Sequence, residues 1–119
     1  MQFNFLAKRR LALALMAGLA FAGSAVQAQT ALDDVLKAKV IKIAIPTDYP
    51  PYGFVGIDLQ PQGLDIDMAN YIGQKLGVKV ELIPVISANR IPYLQTKKAD
   101  LVISTLGKNP DREKVIDFT

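Results

Sequence analysis

The sequence predicts an α/β fold of βαβαβ order with a mostly parallel sheet. Three observations lead there. Residues 40–45 and 78–83 alternate charged with β-branched or other apolar side chains, the two-residue period of a strand. Between them Met68, Ile72 and Leu76 recur at four-residue intervals, the pattern of a helix with one apolar face. A third apolar run, residues 99–104, follows a second helical stretch. Strands that alternate with helices in this way form parallel sheets through right-handed crossovers.

Taken in order, residues 29–39 read as a short leader with a helical turn over 32–36. The strand at 40–45 runs into Pro46, Pro50 and Pro51, which remove amide donors and end regular structure. Residues 53–63 suggest a short irregular hairpin closed by Gly63. The helix at 65–76 follows, with Asp65 or Asp67 as its capping carboxylate and Gly77 as its stop. Capping, not acid–base chemistry, is the role expected of that pair. After the strand at 78–83, Ser87 is a cap candidate for a helix reaching about Lys97, with Pro92 early and Ile91 and Leu94 apolar. The strand at 99–104 is expected to be buried. The loop of residues 105–112 then enters a helix with Asn109 at N-cap, Pro110 at N1 and Arg112 at N3.

The N-terminus is not expected to be part of the fold. Lys8, Arg9 and Arg10 precede an apolar run over residues 11–22 and a small-residue stretch ending at Ala28. That is a secretory signal, with cleavage expected after Ala28. The run is shorter than the roughly 20 residues of a membrane-spanning helix. The residues flanking Arg9 and Arg10 do not favour the twin-arginine route, and no cysteine follows that would carry a lipid anchor. The remaining chain is residues 29–119. Its eleven lysines and arginines balance eleven acids, so the pI of about 9.2 belongs to the export signal. No basic patch argues for nucleic acid. With neither cysteine nor histidine, disulfides, thiolate or histidine metal sites and serine–histidine catalysis are excluded. No cofactor is expected.

Three segments leave the carboxyl ends of the strands: residues 46–54, 87–90 and 104–112. Ligands of open α/β sheets sit outside those ends. An arginine in the first turn of a helix opposes the dipole and calls for a negative partner. A carboxylate gripped by the fork of Arg112 beside free backbone amides meets that need. Pairing of Arg112 with Asp111, Glu113 or Asp117 meets it equally. Tyr49 sits at a proline-stiffened strand exit and offers a flat apolar wall with a polar tip. Tyr52 and Phe54 are expected to plug the core beneath. Arg90 is either a second mouth cation or a solvated residue in the first turn of a helix.

The stretch from Gly63 to Leu76 (Gly, apolar, acid, apolar, acid, apolar, then helix) resembles the polar-amino-acid family of periplasmic solute-binding proteins. So does the block from Asp100 to Arg112 with Asp117, Phe118 and Thr119 behind it. The resemblance implies a periplasmic-binding-protein-like fold, of which residues 40–119 are the N-terminal portion of lobe 1, with the second lobe absent. It further implies that Arg112 and the Gly107 amide hold an α-carboxylate, that Thr105 helps hold the ammonium, and that Tyr49 stacks on the ligand's side chain. Many relatives carry serine or threonine where this chain has Gly107. Ser87 and Arg90, in Ser-Ala-Asn-Arg-Ile-Pro, resemble the segment by which glutamate/aspartate-binding members engage a side-chain carboxylate. Those members carry a further arginine where this chain has Pro46. The implied function is capture of a polar amino acid, slightly favouring glutamate or aspartate, by a monomer serving an inner-membrane ABC permease. The rivals on the same fold are a periplasmic cyclohexadienyl-type dehydratase and a ligand-sensing domain. A part-lobe of this size is expected to bind weakly by itself.

Overall fold

In chain order the residues form α1 (Ala31–Ala38), β1 (Val40–Pro46), β2 (Asp48–Tyr49), β3 (Gly53–Val55), β4 (Pro61–Gln62), α2 (Leu64–Leu76), β5 (Lys79–Val85), a 3-10 turn (Ser87–Asn89), α3 (Arg90–Gln95), β6 (Leu101–Val102) and α4 (Pro110–Glu113). These elements come from a computed structural model that describes residues 30–119. The export signal expected over residues 1–28 lies outside the described residues.

β1 is the centre because it is apolar on both faces. Ile41, Ile43 and Ile45 turn one way and pack with Val35 of α1 and Ile66 and Ala69 of α2. Ala44 turns the other way, onto Val85, Ala99 and Tyr93. β5 runs parallel to β1 along its whole length, from Val40 opposite Lys79 to Pro46 opposite Val85. β6 pairs in parallel on the other side, Ile43 opposite Leu101 and Ala44 opposite Val102. The order β5–β1–β6 is the parallel α/β arrangement that the sequence predicts. Residues 53–63 do form a small hairpin, β3–β4, and β2 from the preceding segment joins it in a three-stranded antiparallel sheet of order β2–β3–β4.

The leader is more ordered than a single helical turn. Thr30 and Asp33 form a reciprocal capping box, each side chain accepting the other's backbone N–H at 3.2 Å. That box starts α1, and Val35 anchors it to the sheet.

α2 is rotated from the expected face. Met68 is about half exposed, and Ile66, Ala69 and Gly73 face the sheet. The reason is close approach: a Cβ at Gly73 would collide with Val80 Cγ2, so small residues let the helix settle onto β5. Ile72 and Leu76 flank that seam, partly buried. The N-cap also differs. Gly63 holds it at φ 122° with no side-chain cap, and Asp65 lies one turn position inside the helix.

Two later elements are shorter than expected. Ser87 makes no cap bond; a 3-10 turn leads into α3, which ends at Gln95. Pro92 has no N–H to donate, and the Thr96 hydroxyl donates back to its carbonyl at 2.8 Å. β6 spans two residues, not six, and its side chains are half-buried. Beside it the Asp100 carboxylate accepts the Lys42 N–H at 2.8 Å, taking a place a strand carbonyl would fill. Among the described residues no strand covers the outer edge of β6.

Candidate functional site

The parallel register sets the carboxyl ends of all three strands along one edge of the sheet. Pro46 lies opposite Val85, and past the β6 ladder the Ile103 N–H donates to the Ala44 carbonyl at 3.0 Å. Tyr49, Ser87 and Thr105 each follow within three residues of a strand's last residue. The three segments therefore emerge side by side.

On the first segment, the Tyr52 N–H donates to the Tyr49 carbonyl at 3.0 Å, closing a turn around the two prolines. The Pro50–Pro51 peptide is cis. The turn stacks the rings of Tyr49 and Tyr52, with centroids 5.7 Å apart. Tyr52 thus does not plug the core, as expected of it; it is 38% exposed and backs Tyr49, which is 50% exposed. The start of α2 grips the turn from below, the Asp65 N–H donating to the Tyr52 carbonyl at 2.8 Å and the Leu64 N–H to that of Pro51 at 3.3 Å. The Asp65 carboxyl is buried, its Oδ2 has no partner, and burial pushes its pKa above the ordinary value.

The second and third segments are tied together. The Arg90 Nε–H donates to the Ser87 carbonyl at 3.0 Å, and its Nη1 donates to Ser104 Oγ at 2.9 Å. Arg90 is held in place, not freely solvated. Ser104 escaped the sequence reading, since no local spacing announces a bond across fourteen residues.

On the third segment, Asn109 caps the one-turn α4 as expected, accepting the Arg112 N–H at 2.9 Å. Four residues make little macrodipole, so the side chain of Arg112 carries the positive charge there. Its Nη1 donates to the Gly107 carbonyl at 2.6 Å. Two of the three candidate acids are occupied elsewhere, Glu113 pairing with Lys108 and Asp111 with Lys114, both at 2.9 Å, and no ion pair joins Asp117 to Arg112 among the described residues. Arg112 consequently has no carboxylate partner among the described residues. Thr105 and Gly107 are exposed beside it.

The structure brings Ser87, Arg90 and the strand end before Thr105 into one bonded group, and Gly107 with Arg112 into another. No hydrogen bond or ring contact among the described residues joins the Tyr49 turn to either arginine. A groove of about 690 Å³ runs along the outer edge of β6, lined by apolar residues such as Met68, Leu101 and Phe118 and by the polar Asp100, Ser104 and Asp117. None of the six predicted site residues lines it. No helix among the described residues is long and apolar enough to cross a membrane.

Comparison with known proteins gives this geometry a context. Residues 41–119 match the family model described as bacterial extracellular solute-binding proteins, family 3. The glutamate/aspartate import solute-binding protein of Escherichia coli is 33% identical, over all of this chain and 42% of its own length. The cyclohexadienyl dehydratase of Pseudomonas aeruginosa is 28% identical, over 93% of this chain and 42% of its own. Among solved structures, the arginine-bound form of domain 1 from TmArgBP, of T. maritima, superposes with a TM-score of 0.70 and 31% identity. That match covers 73% of this chain and 69% of that domain. The chain spans about two fifths of the length of the curated relatives it matches. With the parallel sheet, the emergent loops and this match over most of its length, the chain belongs to the bacterial extracellular solute-binding proteins, family 3.

Proposed function

We propose that residues 40–119 form part of the first lobe of a periplasmic amino-acid-binding protein that delivers its ligand to an ABC importer. The observation that carries this reading is an arginine that makes no ion pair among the described residues, its neighbours Asp111 and Glu113 being held by lysines, set beside an exposed glycine. A guanidinium without a carboxylate is prepared to accept one bidentately. In this reading Arg112 and the Gly107 amide take the α-carboxylate and Thr105 the ammonium, while the Tyr49 ring, backed by Tyr52, walls the ligand's side chain. Ser87 and Arg90 add a second cationic group at the same sheet edge, which favours glutamate or aspartate. Binding between two lobes then closes them, driven by contacts that exist only in the closed state, and the closed form is what an inner-membrane permease would recognise. The working unit is a monomer, exported by a signal cleaved after Ala28.

Calorimetric or NMR titration of the chain with a panel of amino acids tests this. Arg112→Met is expected to weaken binding of every amino acid by about 10- to 100-fold, the cost of a charge-assisted bidentate contact. Unchanged affinity would remove Arg112 from the site.

A dehydratase reading has the support of one curated relative's name and of a solved ancestral cyclohexadienyl dehydratase that is 31% identical. It requires a general acid at the mouth, whereas Asp111 and Glu113 are paired with lysines and the carboxyl of Asp65 is buried under the tyrosine turn. Release of water and carbon dioxide from a cyclohexadienyl acid would favour it over capture.

A further inference from the structure

We infer that Ser104 is a positioning residue: by anchoring Arg90 it sets the protein's preference for a ligand whose side chain ends in a carboxylate. This rests on the amino-acid reading above and adds a residue to it.

A guanidinium carries five N–H donors in a rigid planar fork. In Arg90 two of them are spent within the protein, Nε–H on the Ser87 carbonyl and one Nη1 hydrogen on Ser104 Oγ. Two anchors on different nitrogens fix both the position and the plane of the group. The anchors also come from different elements, one from the turn after β5 and one from the chain just past β6. Nη2 has no partner among the described residues, so its hydrogens remain for an incoming anion. Ser104 adds a second effect. Its oxygen accepts from Arg90, so its own proton is left to donate, and a hydroxyl polarised by a cation is the stronger donor. A carboxylate placed against Nη2 meets an immobilised cation, the rotational entropy of a long side chain having been removed beforehand. A neutral carboxamide gains far less from the same cation.

The group is half-buried, which distinguishes it from a surface arginine resting on a loop. The Ser87 carbonyl alone, being in the same turn as Arg90, would let the fork swing about its Nε–H bond. Ser104 supplies the anchor that stops it.

The test uses two readouts on the full chain. The full chain holds four arginines, at 9, 10, 90 and 112, so the Arg90 Nε–Hε signal in a 15N-labelled sample is assigned by its loss in an Arg90→Lys variant. A slowly exchanging Arg90 signal is expected in the wild type and in Ser104→Thr, which keeps the oxygen, and a fast-exchanging or absent one in Ser104→Ala. Titration with L-glutamate and with L-glutamine, its neutral isostere, gives the selectivity. Ser104→Ala is expected to lower the preference for glutamate by about tenfold, one charge-assisted hydrogen bond, with glutamine changed less than about twofold and Ser104→Thr close to wild type. Equal losses for both ligands would show a merely structural serine and overturn the inference. A clamp lost in the spectrum with selectivity intact would overturn it as well. If the wild type binds no amino acid at all, the reading under it fails and the ligand half of the inference with it, while the Hε signals still decide whether Ser104 holds Arg90.

Discussion

At the scale of single residues, side chains that the sequence marks for one role are put to others by their surroundings. Asp65 reads as a capping carboxylate, yet Gly63 takes the cap and Asp65 is left buried with an orphaned oxygen. Desolvation raises its pKa, so the folded state holds that proton more tightly than the unfolded chain does. Its share of stability is therefore fully present below the unfolded carboxylate pKa and is lost as pH rises through the folded value. Asp65→Asn should relieve that loss. Urea midpoints of the variant are expected to exceed the wild type's at pH 7 and to converge with them in acid; a variant less stable at pH 7 would contradict the assignment. Arg112 shows the opposite case. Its spacing alone allows a surface ion pair with Asp111, Glu113 or Asp117; lysines 114 and 108 hold the first two, and no ion pair to the third forms among the described residues. Such competition among neighbouring charges is a matter of rotamers, which no pattern in the chain announces.

At the scale of elements, hydrophobic period and turn residues locate nearly every helix and strand, whereas their buried faces and lengths are set by packing. The four-residue recurrence of Met68, Ile72 and Leu76 identified α2 as a helix but not its buried side. Packing chose Ala69 and Gly73, because a helix gains more dispersion contact by lying close to a strand than by interposing long side chains. Gly73→Ala accordingly pits about 1 kcal/mol of helix propensity against an overpacking cost of about 1–3 kcal/mol at Val80. The cost is expected to win, lowering Tm by several degrees, and Val80→Ala in the same chain should restore it. A Gly73→Ala chain more stable than wild type would mean that α2 does not rest on β5 as described. The capping box of α1 makes a separate prediction. Thr30→Ala should cost about 1 kcal/mol, measurable by chemical denaturation, with the loss confined to hydrogen-exchange protection in residues 31–38 if α1 frays locally. The short β6 reflects the same logic as α2: its run of apolar residues reads as a buried strand, but strand length depends on partners on both sides, and among the described residues only β1 pairs with it.

At the scale of the whole molecule, the outer edge of β6 is unpaired among the described residues, a groove lies beside it, and the chain spans about two fifths of the length of its curated relatives. Amino-acid binding by the chain alone is expected to be weak, about −4 to −6 kcal/mol or millimolar to tens of micromolar, and to tighten at least about 100-fold when a second lobe is joined to it. Calorimetry decides, and nanomolar binding by the chain alone would refute the two-lobe mechanism. What the amino-acid order determined by itself was the alternation of strands and helices, the parallel sheet, the turn chemistry at the prolines and the motifs of the family. These depend on near neighbours in the chain and on hydrophobic period, both of which are written locally. Tertiary structure alone decided that Ser104 holds Arg90, that Tyr52 backs Tyr49, that α2 turns its small residues to the sheet and that Arg112 has no acid partner among the described residues. Each of these is set by side chains distant in sequence or by several groups competing for one partner, and only a closed three-dimensional arrangement chooses among them.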